Sequence, residues 1–150
     1  MTSNDSGLRV LTAEEGCHYN VLGSAMIYKA TSQDTGGAYS LAVETTPPHA
    51  GLPMHVHHRQ DEAMYILDGE YEIKCGADVF RATPGTFVFL PRDTPNGYKN
   101  CGEIPGRFIY ITSPGGFEAL VAETSEVTMQ GKPDMHAVHA IANRHGVDFV

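Results

Sequence analysis

The chain has 150 residues, a formal charge of −8 with its histidines neutral, 16 glycines and nine prolines, a length at which one domain with an unstapled core is the expectation. The acidic balance repels phosphate backbones, so no nucleic-acid partner is expected. With no run of about 18 apolar residues and no apolar leader in "MTSNDSGLRV", no membrane partner is expected either, and a cytoplasmic location is.

Cys17, Cys75 and Cys101 are odd in number and irregularly spaced. That argues against a disulfide framework and for buried or partly buried free thiols in a reducing compartment.

In chain order, residues 1–7 are small and polar and are expected to fray. "RVLTAEEG" reads as a strand and a turn, and "YNVLGSAMIYKATSQDTGG" as two strand pieces ending in a polar loop near Ser32 to Gly37. "AYSLAVETT" alternates, with Tyr39, Leu41 and Val43 on one face. "EAMYILDGEYEIKCG" reads as a hairpin about Asp68-Gly69, with Glu62, Met64 and Ile66 sharing a face.

"DVFRATPGTFVFLPRD" and "GRFIYITSP" supply further strands. Around Phe87–Leu90 both faces are apolar, which predicts cover on both sides, as also around Phe108 and Tyr110. The tail differs: "PGGFEALVAET" and "KPDMHAVHAIANRHG" read as helices. The second starts at Pro133, stops at Gly146 and buries Met135, Val138, Ile141 and Ala142. Short strands with Gly and Pro turns, followed by helices, predict a β-sandwich or barrel.

Chemistry concentrates in "GLPMHVHHRQDEAMYILDGE". His55 and His57 are two apart, so in a strand both imidazoles face the same way. Glu62 follows after a short bend, on the row continued by Met64 and Ile66. Two imidazoles and a carboxylate on one face suit a divalent transition metal with positions left open. His58 faces the other way, and Asp61 is the alternative carboxylate.

These residues resemble the first motif of the cupin superfamily: His55-Val56-His57, Glu62 and Gly69 match its H-x-H, glutamate and glycine, while His49 stands at the leading glycine. Of the second motif, Gly85, Pro91 and Asn100 match. Asp93 stands at a glycine position, and Asn96 where the family's last metal histidine would be. "DTGGAYSLAVETTPP", "SPGGFEAL" and "AVHAIANRHGV" are similar to small single-domain quercetin 2,3-dioxygenase-like cupins.

The resemblance implies an all-β fold, a cupin double-stranded β-helix (jelly-roll barrel) with short C-terminal helices. It would form a single cupin domain over 1–150, with a barrel core at about 20–113 and a helical segment at 114–150. It implies a divalent metal ion (Fe, Ni, Mn, Cu or Zn) on His55, His57 and Glu62, with Glu62 and Asn96 catalytic. With Asn96, three outcomes stay open: a metal on three ligands, recruitment of His49, or acid–base chemistry without metal.

A barrel mouth binds small molecules, and the expected wall is Met64, Ile66, Phe89, Tyr98 and Tyr110, with Met54, Phe87 and Phe108 as further candidates. That wall suits a phenolic or polyketide-like substrate in a metal-dependent cupin enzyme of quercetinase-type dioxygenase activity. A non-oxidative cyclase, isomerase or dehydratase and a non-catalytic binding cupin are the alternatives. A homodimer is expected by the same resemblance, with a strand near Val10 adding to a partner's sheet edge.

Overall fold

The computed structural model describes residues 7–128 and 132–150; the fraying expected of residues 1–6 lies outside the described residues. Eleven strands and three helices follow in chain order: β1 (Cys17–Val21), β2 (Ser24–Ala30), α1 (Ser32–Thr35), β3 (Ser40–Thr46), β4 (Gly51–His57), β5 (Asp61–Asp68), β6 (Tyr71–Cys75), β7 (Asp78–Ala82), β8 (Phe87–Leu90), β9 (Asn96–Asn100), β10 (Gly106–Ser113), α2 (Glu118–Thr128), α3 (Met135–Arg144) and β11 (Val147–Phe149). A six-stranded sheet, β1-β2-β3-β10-β5-β8, faces a five-stranded sheet, β11-β4-β9-β6-β7, and every described pairing is antiparallel. The fold is thus the expected jelly roll, built as two facing sheets rather than one hydrogen-bonded cylinder.

The core lies between the sheets. Strand alternation sends Glu62, Met64 and Ile66 of β5, and Phe108, Tyr110 and Thr112 of β10, inward from one sheet. Tyr71 and Ile73 of β6 meet them from the other. The rings of Tyr71 and Tyr98 each meet Phe108 edge-on at 5.3 Å, the favoured arrangement for aromatic quadrupoles.

Several local expectations are corrected. Asp68-Gly69 makes no hairpin: β5 pairs with β10 and β8, whereas β6 pairs with β7 and β9, so this turn carries the chain between the sheets. Gly69 has φ +87°, and a Cβ there would sit 2.8 Å from the Gly106 Cα, so the corner needs glycine on two counts. Nothing in a two-residue turn says which sheet the next strand joins.

Phe87 and Phe89 are 63% and 56% exposed, on the outer face of the six-stranded sheet. Leu41 and Val43 lie half-buried on that face and Tyr39 is exposed, while the small and polar Ser40, Ala42, Glu44 and Thr46 point inward. The strand register lines up Ile27, Val43, Ile109, Tyr65 and Phe87 across this outer face, and beside them Leu41, Ile111, Ala63 and Phe89. An apolar row therefore does not identify the core side here.

The segment near Val10 forms no strand, and the expected loop at Ser32 contains α1, held by a reciprocal Thr31–Asp34 capping box. The N-cap of α3 is Asp134, whose side chain accepts from the His136 N–H, so Pro133 precedes the helix. Met135 is 40% exposed, leaving Val138, Ile141 and Ala142 as the buried stripe. Cys17 is exposed rather than buried, and all three cysteines are free thiols. Among the described residues no helix is long and apolar enough to cross a membrane.

The two residues at the motifs' glycine positions keep glycine-like backbone: His49 has φ +65° and Asp93 φ +62°. Asp and His are among the side chains that tolerate this region best.

On β4, which carries His55 and His57, a Cβ on Gly51 would lie 2.0 Å from the Tyr98 carbonyl oxygen and 2.7 Å from the Lys99 Cα. Backbone cannot yield there as a flexible side chain can. Gly51→Ala is expected to destabilise the protein by about 3 kcal/mol, read as a lowered urea midpoint; an unchanged midpoint would refute the close approach of β4 and β9.

Candidate metal centre and its cavity

β4 and β5 bring His55, His57 and Glu62 together, with one ligand-type atom of each within 4.8 Å of the others. All three side chains are buried. The His55 and His57 rings lie 4.9 Å apart, and His57 Nε2 is 3.3 Å from Glu62 Oε1. β9 places Asn96 opposite His55, and its Nδ2 donates to Glu62 Oε1 at 3.1 Å. From β10 the Tyr110 hydroxyl donates to Glu62 Oε2.

Burial dominates the titration of this group. Desolvation pushes His57 down to about 3, with the neighbouring His55 and His58 adding to it, and lowers His55 against the opposing Pro53 carbonyl. Desolvation pushes Glu62 up to about 7, although the Tyr110 and Asn96 hydrogen bonds favour its charged form. Both imidazoles are therefore neutral at physiological pH, the state a ligand requires.

The residues fit a divalent cation. His55 Nδ1 donates to the Pro53 carbonyl at 2.8 Å, which leaves the lone pair on Nε2 and fixes the ring as outer partners of metal ligands do. His57 Nδ1 is buried without a hydrogen-bond partner. A cation among two neutral imidazoles and a carboxyl held back from ionising offsets the desolvation of the carboxylate.

The other candidates fall elsewhere. His49 is exposed and pairs with Glu103 at 3.1 Å, so it does not take the place left by Asn96. His58 lies on the surface between Asp93 and Asp148 at 2.7 and 2.9 Å, and Asp61 is bound by Arg92. Phe89, Phe87 and Met54 are not in the cavity wall: the phenylalanines face outward and Met54 lines an outer groove. Ile66 and Phe108 are fully buried in the core and do not line the cavity.

The wall is formed instead by Met64, Tyr98 and Tyr110, as expected, together with Met26, Leu52, Leu90 and a large share from the C-terminal segment: Phe117, Leu120, Val121, Thr124, Val138, Ala142, Val147 and Phe149. β11 pairs with β4 so that Val147 faces His57 and Phe149 faces His55. Phe117 sits 4.9 Å from His57 and Phe149 6.0 Å from His55, ring centre to ring centre. The cavity has a volume of about 80 Å³, below the roughly 150 Å³ of an engineered cavity that takes up benzene, so it favours small ligands.

Glu44 also lines this cavity and was not among the expected site residues. Its carboxylate accepts from the Tyr98 hydroxyl. Desolvation pushes it up to about 7, the Tyr98 and Ser24 hydrogen bonds opposing and the Glu62 charge adding. The only sequence signal for it was a carboxylate on the small-residue face of β3.

A family model described as a cupin domain matches residues 42–112. Quercetin 2,3-dioxygenase of Bacillus subtilis is 23% identical over 130 residues, which is 87% of this chain and 36% of that protein. Alginate biosynthesis protein AlgA of Pseudomonas putida is 29% identical over 82 residues, 55% of this chain and 17% of that protein. The chain therefore spans well under half the length of either relative.

KdgF from a Halomonas species superposes with a TM-score of 0.64 at 20% identity, covering 72% of this chain and 94% of that one. An RmlC-like cupin from Shewanella frigidimarina gives 0.63 at 16% identity, covering 73% and 93%.

His57→Ala and Glu62→Gln are each expected to weaken Co(II) binding about 100-fold, read by absorption titration; wild-type affinity in either variant would refute the centre. Glu44, faced by Tyr98, Tyr28, Tyr71 and Glu62, gives a separate pH effect. Its native value lies above the unfolded 4.5, so its stability contribution is complete below about pH 4.5 and lost as pH rises through about 7. Melting curves from pH 4.5 to 7.5 should show wild type losing up to about 3 kcal/mol more than Glu44→Gln; parallel curves would contradict the assignment.

Proposed function

We propose that this chain, which matches a cupin domain over residues 42–112, is a metal-dependent enzyme of quercetinase-type dioxygenase activity on a small phenolic or polyketide-like substrate. The observation that carries the reading is the set of His55, His57 and Glu62 at the wall of a buried, mainly apolar cavity. The likeness to the Bacillus subtilis dioxygenase over 87% of the chain supports it.

A redox-active divalent ion on these residues would supply Lewis acidity toward an enol or phenol oxygen and electron transfer with dioxygen as co-substrate. The protein's own groups do the rest. The apolar wall excludes water and holds a flat ring. Glu62 takes the proton of the entering hydroxyl, and Tyr110 and Asn96, donating to its two oxygens, aim it. With its amide turned to Glu62, Asn96 acts as a positioning group. The small cavity favours single-ring over flavonol-sized substrates.

The same Asn96 contact favours a second reading, a non-oxidative isomerase or cyclase in which Glu62 shuttles a proton. The reactions are separated by oxygen. Protein loaded with Fe, Ni, Mn or Co should consume oxygen with at least one member of a panel of catechols, hydroxypyrones and flavonols. Lack of uptake throughout would rule out the dioxygenase, and product formed anaerobically would establish the alternative. Asn96→His, by adding a fourth ligand, should tighten Ni(II) binding at least about tenfold.

A further inference from the structure

The cavity's polar groups fall into two sets. His55, His57, Glu62, Asn96 and Tyr110 form the metal centre; Ser24, Glu44 and Tyr98 form another group on β2, β3 and β9. On β10, Phe108 faces Glu44 and Thr112 faces Glu62. The two carboxylates thus stand four residues apart along one strand, a backbone offset of roughly 13 Å, while their side chains converge on one space.

Met26 lies beside Glu44 and Leu90 beside Glu62 in the sheet, and Met64 stands between the levels of the two carboxylates. Thr124 adds to the second group's side of the cavity. It is 2% exposed, its hydroxyl has no partner, and its helix α2 docks on β1 through the Asn20 N–H to Ser125 Oγ.

A carboxyl group buried without a countercharge is costly and would be replaced by an apolar side chain if only packing mattered. Tyr98 and Ser24 each hydrogen-bond Glu44, and a carboxylate has about four acceptor directions. The remaining directions face a cavity whose wall offers few other polar partners.

We propose that Glu44, oriented by Tyr98, is a second substrate anchor, accepting a hydrogen bond from a hydroxyl on the far side of the ring from the oxygen that meets the metal centre. The inference rests on the functional reading above and adds a substrate class to it: a ring with an enol or phenol oxygen at one end and a hydroxyl donor at the other.

Kojic acid and allomaltol test this, because they share one hydroxypyrone ring and differ only in a remote hydroxyl. Calorimetric titration into Co(II)-loaded wild type should show kojic acid binding about tenfold tighter than allomaltol, the worth of one hydrogen bond to a buried carboxylate. Glu44→Leu should bring the ratio of the two Kd values to near one, and Glu44→Gln, which still accepts a hydrogen bond, should restore part of it. His57→Ala should weaken both ligands and leave the ratio.

The Co(II) absorption spectrum of each variant reports whether the metal centre is intact. Equal affinities in wild type, or a ratio unchanged in Glu44→Leu, would overturn the anchor and leave the metal-centre reading standing. Binding of neither pyrone to Co(II)-loaded wild type would overturn both.

Discussion

Desolvation of a carboxyl group beside two imidazoles is the constraint around which this molecule is arranged. Glu62, His55 and His57 lie between the sheets, where isolated charges are expensive, and Glu62 and His55 have neighbours that limit the expense. The Pro53 carbonyl takes the His55 Nδ1 proton, and Asn96 and Tyr110 hold the two carboxylate oxygens. These partners come from β4, β9 and β10, so the site exists only when both sheets are in register.

The C-terminal segment completes the site. α2, α3 and β11 carry much of the apolar wall, and β11 lies directly on the ligand strand. Phe117 and Phe149, against the two histidine rings, lower the local dielectric and so contribute to holding the imidazoles neutral. A second carboxyl, Glu44, sits in the same cavity under the same penalty. Two buried acids thus share one small space.

The departures from the family's motifs have different consequences. His49 and Asp93 replace glycines, yet both keep left-handed backbone, so the turns survive. Asn96 stands where the motif has a histidine, and its amide is turned to Glu62 instead of offering an imidazole nitrogen.

What the sequence determined by itself is the pattern with a fixed local geometry. His55 and His57 share a face because strands alternate, Glu62, Met64 and Ile66 share one for the same reason, and the tail helices are legible from their periodicity. Which face turns inward was decided only by the tertiary structure, since alternation is symmetric between the two sides of a strand. Phe89 therefore reads as wall but lies on the outside, as does the alternating face of Leu41 and Val43, while Glu44 lies within. The Asp68-Gly69 turn, the C-terminal share of the cavity and the partners of Asn96 depend equally on contacts between residues far apart in the chain, which no local pattern encodes.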